Sequence, residues 1–197
     1  MSATRGQQIG IWIIAVTLTV GTLGSFFAII LANDNQKIDT ATTQEEYDKQ
    51  LKEYEAQQKA AAQANADNSE PLDGYAAATF DAAAVTELKT EVLVAGSGEE
   101  IKETDTIKAS YFGYTSDGKI FDSSNKKDAD NAAISFSLQQ VIKGWTNGLK
   151  GQKVGSTVKL TIPADQAYGE SGSGIIPANA PLEFIVQIDS IDNTTES

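Results

Sequence analysis

The apolar residues of this 197-residue chain are divided between one uncharged run near the N-terminus and the region from residue 86 onward, with a polar stretch between them. Residues 33–85 carry eleven acidic residues and four lysines and are rich in Ala, Gln, Asp and Asn. A segment of that composition buries too little apolar surface to offset the entropy of ordering it. We therefore expect the hydrophobic core within residues 86–193, with 194–197 as a tail.

The uncharged run extends over 24 positions, 9–32. A helix of that length reaches roughly 36 Å and could cross a hydrocarbon core of about 30 Å. It predicts a transmembrane anchor that follows a cytoplasmic N-terminus, residues 1–8. Arg5 is the only charged residue before the run, which favours a single-pass protein of the cell membrane with its C-terminal domain outside the cytoplasm. The alternative is a cleaved signal peptide and a secreted protein.

The polar stretch contains a predicted helix at about residues 44–64. This segment lacks Gly and Pro, and Thr43 with Glu46 forms a capping-box pattern at its start. Three apolar or aromatic residues share one face: Tyr47, Leu51 and Tyr54. A short coiled coil that forms dimers and a solvated spacer helix both fit, and the single apolar heptad favours the spacer and a monomer. Residues 65–73 are predicted to form a hinge-like connection.

Alternation of apolar and polar residues dominates the region from residue 86 onward and indicates strands. The dipeptide Asp117-Gly118 is a strong hairpin signal between two of them. Residues 140–149 carry apolar side chains at every fourth position, which predicts one short helix. The expected architecture is α+β, with a curved antiparallel sheet packed on that helix. The predicted strands are 88–94, 106–114, 119–122, 133–138, 156–162 and 181–191.

Most reactive groups used in covalent catalysis are missing from the sequence. The chain has no His and no Cys, which excludes disulfide scaffolds, thiol nucleophiles, Ser-His-Asp triads and His-based metal sites. The net charge of −12 argues against a nucleic-acid surface. No metal and no cofactor are expected.

The aromatic residues of the domain are the remaining candidates for a site. Tyr114, Leu149, Val158 and Val186 are better explained as core residues. Packing alone does not explain the glycine-rich segment 168–177, which presents Ile175 and Ile176 before a proline and predicts a wall over a concave apolar site. The aromatic candidates are Tyr111, Phe112, Tyr114, Phe121, Phe136, Trp145, Tyr168 and Phe184.

Several motifs in this region, taken in order, resemble the FKBP-type peptidyl-prolyl isomerases over residues 86–192. They are Tyr111-Phe112-Gly113, the segment 117–124 (DGKIFDSS), the segment 136–145 (FSLQQVIKGW), Ala167-Tyr168-Gly169, Ile175-Ile176-Pro177 and Leu182-Glu183-Phe184. The resemblance implies a sheet half-wrapped around one helix, with an aromatic pocket between them that receives a prolyl ring. It also implies an enzyme that assists the folding of exported proteins.

Residue roles follow from the same resemblance. It implies that Asp122, Tyr168, Trp145 and Tyr111 are catalytic, with the indole of Trp145 as the pocket floor. The backbone N–H of Ile142 is implied to hold the substrate carbonyl after the proline. The substrate-binding residues implied are Phe121, Ile134, Phe136, Val141, Ile142, Ile175, Ile176 and Phe184.

The resemblance also implies the binding partners. These are proline-containing unfolded or exported polypeptides, with macrolide inhibitors as further ligands. A non-catalytic binding module or holdase chaperone of the same fold remains the alternative function.

Overall fold

A computed structural model describes residues 40–129 and 131–192. The predicted cytoplasmic N-terminus, the predicted anchor 9–32 and the tail 194–197 lie outside these residues. Within the described ranges, no helix is both long enough and apolar enough to cross a membrane.

The domain is built on a six-stranded antiparallel sheet. Its path runs β2-β7-β8-β3-β4, and β6 pairs with the same edge of β3 that β4 occupies. One edge can serve both partners because β3 is ten residues long: β6 pairs with Thr106–Ala109 and β4 with Phe112–Tyr114. The strands are β2 (Lys89–Val94), β3 (Thr106–Thr115), β4 (Ile120–Ser123), β6 (Ile134–Ser137), β7 (Thr157–Ile162) and β8 (Leu182–Ile191).

Alternation along the strands determines which side chains enter the core. In β8, Leu182, Phe184, Val186 and Ile188 are all buried, as the sequence pattern predicts. The residues that we assigned to the core are also buried, namely Tyr114, Leu149, Val158 and Val186. The α+β architecture is therefore confirmed.

The short helix α2 (Lys143–Leu149) covers the concave face of the sheet. It begins three residues later than predicted, because Ile142 is extended (φ −60°, ψ 147°) and serves as its N-cap residue. Two glycines allow close packing: a Cβ at Gly144 would lie 2.3 Å from Ile162 Cγ2, and one at Gly148 would lie 2.7 Å from Leu160 Cδ2. The sequence thus brings the helix backbone, and with it Trp145, against the sheet.

The first helix, α1 (Thr40–Asn68), is longer than the predicted 44–64 and does not end in a hinge. It leads directly into β1 (Ser69–Glu70), which pairs antiparallel with β5 (Asn125–Lys126). Ala62 and Asn65 are buried against the domain. The prediction of a hinge at 65–73 is wrong, because backbone pairing and side-chain burial fix this segment to the domain.

The expectation that residues 33–85 contribute nothing to a core is also wrong. Leu72 is buried in a second apolar cluster with Phe112, Tyr114 and Ile185 on the outer face of the sheet. Tyr75, Ala77 and Phe80 pack against the same cluster. A few apolar residues are enough here because the sheet already supplies the other half of the contact.

Candidate active site

A pocket lies between α2 and the concave face of the sheet. Tyr111 comes from β3, Phe121 and Asp122 from β4 and Phe184 from β8, while Val141 and Ile142 precede α2. Trp145 comes from the first turn of α2, and Tyr168 from the loop after β7. The eight residues that line the pocket were all predicted site residues: Tyr111, Phe121, Asp122, Val141, Ile142, Trp145, Tyr168 and Phe184.

The aromatic rings of the pocket pack edge to face around Trp145. The ring centroids of Trp145 and Tyr111 lie 5.2 Å apart at 86°, and those of Trp145 and Phe184 lie 5.5 Å apart at 87°. Phe121 meets Phe184 at 5.5 Å and 84°. Edge-to-face pairs contribute about 0.5–1.5 kcal/mol each beyond the area they bury. The walls are therefore held by the same contacts that stabilise the core.

Four predicted binding residues do not line this pocket. Phe136 packs edge-on against Tyr111 and Trp145, with centroids 5.3 and 5.1 Å away, so it supports the pocket from behind. Ile134 packs against the core at partial burial. The substrate-binding role of Ile134 and Phe136 stays a prediction.

The other two predicted binding residues outside the pocket lining, Ile175 and Ile176, lie in the glycine-rich loop. The backbones of Ser173 and Ile176 form two hydrogen bonds, of 3.0 and 2.8 Å. Gly172 and Gly174, on either side of Ser173, have positive φ. This turn buries Ile176 in the core and leaves Ile175 beside an open groove rather than in the pocket. Neither isoleucine lines the pocket itself, and their substrate-binding role stays a prediction.

Asp122 is the acidic group of the pocket and is 1% exposed. One of its carboxylate oxygens, Oδ2, accepts a hydrogen bond from the Tyr111 hydroxyl. The other, Oδ1, accepts from the Ser123 backbone N–H at 2.9 Å and lies 3.3 Å from Lys126 Nζ. It also accepts a 2.9 Å hydrogen bond from Asn65 Nδ2 of α1. Both oxygens are therefore held in place.

The electrostatics of the pocket keep its phenols protonated. Burial, and then the charge of Asp122, raises the pKa of Tyr111 well above 10. Burial, followed by the same carboxylate, also raises the pKa of Tyr168 above its ordinary value. At neutral pH both hydroxyls are therefore donors. Burial lowers the pKa of Lys126, and the charge of Asp122 opposes that effect.

The pocket is narrow and adjoins a much larger space. It encloses about 10 Å³, close to what one water molecule needs. An open groove of about 920 Å³ lies beside it, between α1, the β3–β4 turn and the loop that carries Ile175. Phe121 lines both spaces, so the groove and the pocket share a wall.

One buried donor has no partner within the described residues, namely the indole Nε1–H of Trp145. An unsatisfied buried donor costs about 1–3 kcal/mol, and such groups occur at functional sites. In the described part of the chain, His, Cys, Asp and Glu side chains do not gather in any set of three or more that could hold a metal ion.

Sequence reasoning did not find Asn65 and Lys126, although both contact Asp122. Lys126 lies four residues after Asp122, a spacing that offered a weak signal. Asn65 offered none, because it lies 57 positions from Asp122 in a stretch rich in Ala, Asn and Asp.

Comparison with known proteins identifies the class to which this fold and pocket belong. The family model of the FKBP-type peptidyl-prolyl cis-trans isomerases matches residues 97–189. The chain is 39% identical over 159 residues to the FKBP-type peptidyl-prolyl cis-trans isomerase FkpA of Aeromonas hydrophila, and 38% identical over 153 residues to FkpA of Escherichia coli (strain K12). These matches cover 76% and 73% of this chain, but only 58% and 56% of the two relatives.

A shorter relative is matched over most of its own length. FK506-binding protein 2 of Debaryomyces hansenii is 41% identical over 97 residues, which cover 48% of this chain and 70% of that protein. The chain therefore belongs to the FKBP-type peptidyl-prolyl cis-trans isomerase family, as the sequence motifs predicted.

Proposed function

We propose that this protein is a peptidyl-prolyl cis-trans isomerase that assists the folding of exported polypeptides. The observation that carries the proposal is the convergence of eight residues from β3, β4, β8, α2 and two loops on one aromatic pocket. Rotation about an X-Pro bond meets a barrier of about 18–20 kcal/mol because the planar amide is stabilised by resonance. No covalent bond breaks, so a chain without His or Cys can catalyse the reaction.

The proposed mechanism uses the difference between the planar and the twisted amide. At about 90° of twist conjugation is lost and the carbonyl becomes less polar, so a water-excluding aromatic pocket favours the twisted form. The hydroxyl of Tyr168 and the pair formed by Asp122 and Tyr111 orient the peptide and interact with the changing charge distribution. The N–H of Ile142, at the start of α2, holds the carbonyl after the proline.

Seating a prolyl ring requires the pocket to widen, because about 10 Å³ is too little for a five-membered ring. Val141, Ile142 and Tyr168 are only partly buried and lie in loops, so they are the part of the wall that can move. Trp145, Tyr111 and Phe184 are buried and mutually packed, so they stay fixed as the floor.

The proposed substrates are extended, proline-containing segments of unfolded polypeptides. The groove beside the pocket supports this substrate class, since residues that flank the proline can lie along it past Phe121. Macrolide inhibitors that fill the prolyl site are the proposed additional ligands.

The proposed setting is the outer face of the cell membrane, with residues 9–32 as a single-pass anchor and residues 86–193 as the isomerase domain. Residues 33–85 connect the two, and the part of this segment from Ala62 to Phe80 packs on the domain. The uncharged run of 24 residues supports the anchor. If the run is instead a cleaved signal, the mature N-terminus determined by mass spectrometry will lie close to residue 32.

The activity is tested by following cis-trans exchange of a Leu-Pro peptide with a protease-coupled assay or exchange NMR. The wild-type chain should accelerate exchange, and Asp122→Val and Tyr168→Phe should each lower kcat/KM at least tenfold, equivalent to about 1.4 kcal/mol of lost preference for the twisted amide. Absence of acceleration by the folded wild-type protein would refute the proposal.

A holdase chaperone without catalytic activity is the second candidate, and the large open groove favours it. A holdase would suppress the aggregation of a proline-free client without accelerating peptide exchange. An isomerase would accelerate exchange, and Tyr168→Phe would lower kcat/KM at least tenfold while aggregation of the proline-free client stayed the same.

A further inference from the structure

We propose that Asn65, at the end of α1, is a positioning residue of the prolyl site and holds the carboxylate of Asp122 in place. The inference rests on the proposed isomerase function. It adds to that function a residue outside positions 97–189, the range that the family model matches.

The geometry of the contact is specific. Asn65 is 5% exposed and Asp122 is 1% exposed, so the interaction is shielded from water. Asn65 Nδ2 donates to Asp122 Oδ1 at 2.9 Å and lies 3.4 Å from the Phe121 carbonyl. Asn65 Oδ1 accepts from Lys126 Nζ at 2.7 Å. The amide thus bridges a carboxylate and an ammonium group.

An amide is the side chain that suits this position. Its NH₂ donates to the carboxylate while its carbonyl accepts from the ammonium, so each neighbour is satisfied. A carboxylate at residue 65 would lack the donor and would repel Asp122. An apolar side chain would satisfy neither Asp122 nor Lys126, which are both too buried to turn to water without cost.

The backbone that carries Asn65 is itself fixed to the domain. The Ser69 hydroxyl donates to the Asn65 carbonyl at 2.8 Å, and Lys126 Nζ lies 2.9 Å from Ser69 Oγ. On the other side, a Cβ at Gly174 would lie 2.8 Å from Ala62 Cβ, so α1 packs closely on the loop after Tyr168. The end of α1 therefore contacts both Asp122 and the loop that follows Tyr168.

Loss of the Asn65 donor should change the orientation of the Asp122 carboxylate. Asp122 Oδ2 receives the Tyr111 hydroxyl, and Oδ1 receives the donors from Asn65, Ser123 and Lys126. Asn65→Leu and Asn65→Asp both remove the donor to Asp122, and Asn65→Leu also removes an acceptor of Lys126. The carboxylate can then rotate and carry the Tyr111 hydroxyl with it. The aromatic side chains of the pocket pack on one another, so ring binding should persist.

The test compares the full-length chain with Asn65→Leu and Asn65→Asp in peptide exchange. Both variants lack the donor to Asp122, while Asn65→Asp retains an acceptor for Lys126. Each should lower kcat about five- to tenfold and leave KM within about twofold of wild type. Denaturant unfolding shows which of the two variants is folded. If only one of them folds, the kcat and KM of that variant test the inference.

The matched control is Asn68→Ala on the same helix. Asn68 Nδ2 donates to Asp128 at 2.6 Å, so this variant removes a hydrogen bond between α1 and the domain without touching Asp122. Its kcat should equal that of wild type. Wild-type kcat in a folded Asn65 variant, or an equal loss in Asn68→Ala, would overturn the inference. An inactive wild-type chain would instead overturn the proposed function.

Discussion

Tyr111 and Tyr114 lie three residues apart on β3, and each donates a hydrogen bond to a buried carboxylate. Tyr111 faces the pocket and bonds to Asp122, while Tyr114 faces the outer cluster and bonds to Glu183 at 2.7 Å. The same residue type thus makes the same kind of hydrogen bond in the pocket on one face of the sheet and in the outer cluster on the other.

This pair gives a prediction with its own control. Tyr111→Phe should lower kcat/KM for Leu-Pro exchange about tenfold, because Asp122 loses a donor on the pocket side. Tyr114→Phe should lower the free energy of unfolding by about 1.5–3 kcal/mol, the range for hydrogen bonds to charged groups, with kcat/KM unchanged. Equal loss of activity in both variants would show that Tyr111 acts through folding alone.

The buried phenols also predict alkaline behaviour. Burial is the main cause that raises the pKa of Tyr111, Tyr114 and Tyr168 in the folded chain. Unfolded tyrosines ionise near pH 10. The raised pKa values of these tyrosines therefore contribute fully to the free energy of unfolding below pH 10. That contribution is lost as the pH rises above 10, because only the unfolded chain then releases these protons.

The measurement is a tyrosinate absorbance titration combined with unfolding at several pH values. Of the six tyrosines, these three should ionise only as the fold is lost. The free energy of unfolding should fall above pH 10. Ionisation of all six near pH 10 with native circular dichroism would contradict the expectation.

At the scale of elements, the sequence predicts what is periodic and local. The alternation of apolar and polar residues predicts β3, β7 and β8 and the faces they bury. Apolar residues at every fourth position predict α2. No local pattern predicts the packing of α1 on the domain, because the contact of α1 with Asp122 spans 57 positions and involves a single amide side chain. Ile176 also escapes it, since the positive φ angles at Gly172 and Gly174 determine where that side chain goes.

The segment after α1 was likewise unpredictable, because isolated apolar residues show no period. The structure buries Leu72 to 5% exposure on the outer face of the sheet, whereas Val92 of the edge strand β2 stays 49% exposed. Leu72→Ala should therefore lower the free energy of unfolding by about 2–4 kcal/mol. Val92→Ala should change it by no more than about 0.5 kcal/mol.

Both values come from denaturant unfolding of the full chain. A change below 0.5 kcal/mol for Leu72→Ala would mean that residues 69–85 are not part of the stable fold. Peptide exchange by folded Leu72→Ala should match wild type, because Leu72 lies in the outer cluster rather than the pocket.

At the scale of the molecule, α1 connects an exposed part of the chain to the aromatic pocket. Between Asp48 and Gln57 most side chains are exposed, with Leu51 and Tyr54 half buried. Toward the end of the helix, Ala62 and Asn65 become buried on the domain. These four residues follow one another at helical spacing, so the stripe that suggested a coiled coil continues into the face that docks on the domain.

The rate of amide hydrogen exchange, measured in the full chain, should therefore differ between the two parts of α1. Isolated helices are marginally stable, so amides of residues 48–57 should exchange through local fraying at a rate independent of protein concentration. Amides of residues 62–68 should exchange only with the unfolding of the domain, and Asn65→Leu should accelerate them while leaving 48–57 unchanged. Strong, concentration-dependent protection of 48–57 would instead mean that a second copy covers the face of Leu51 and Tyr54, which is the coiled-coil interpretation.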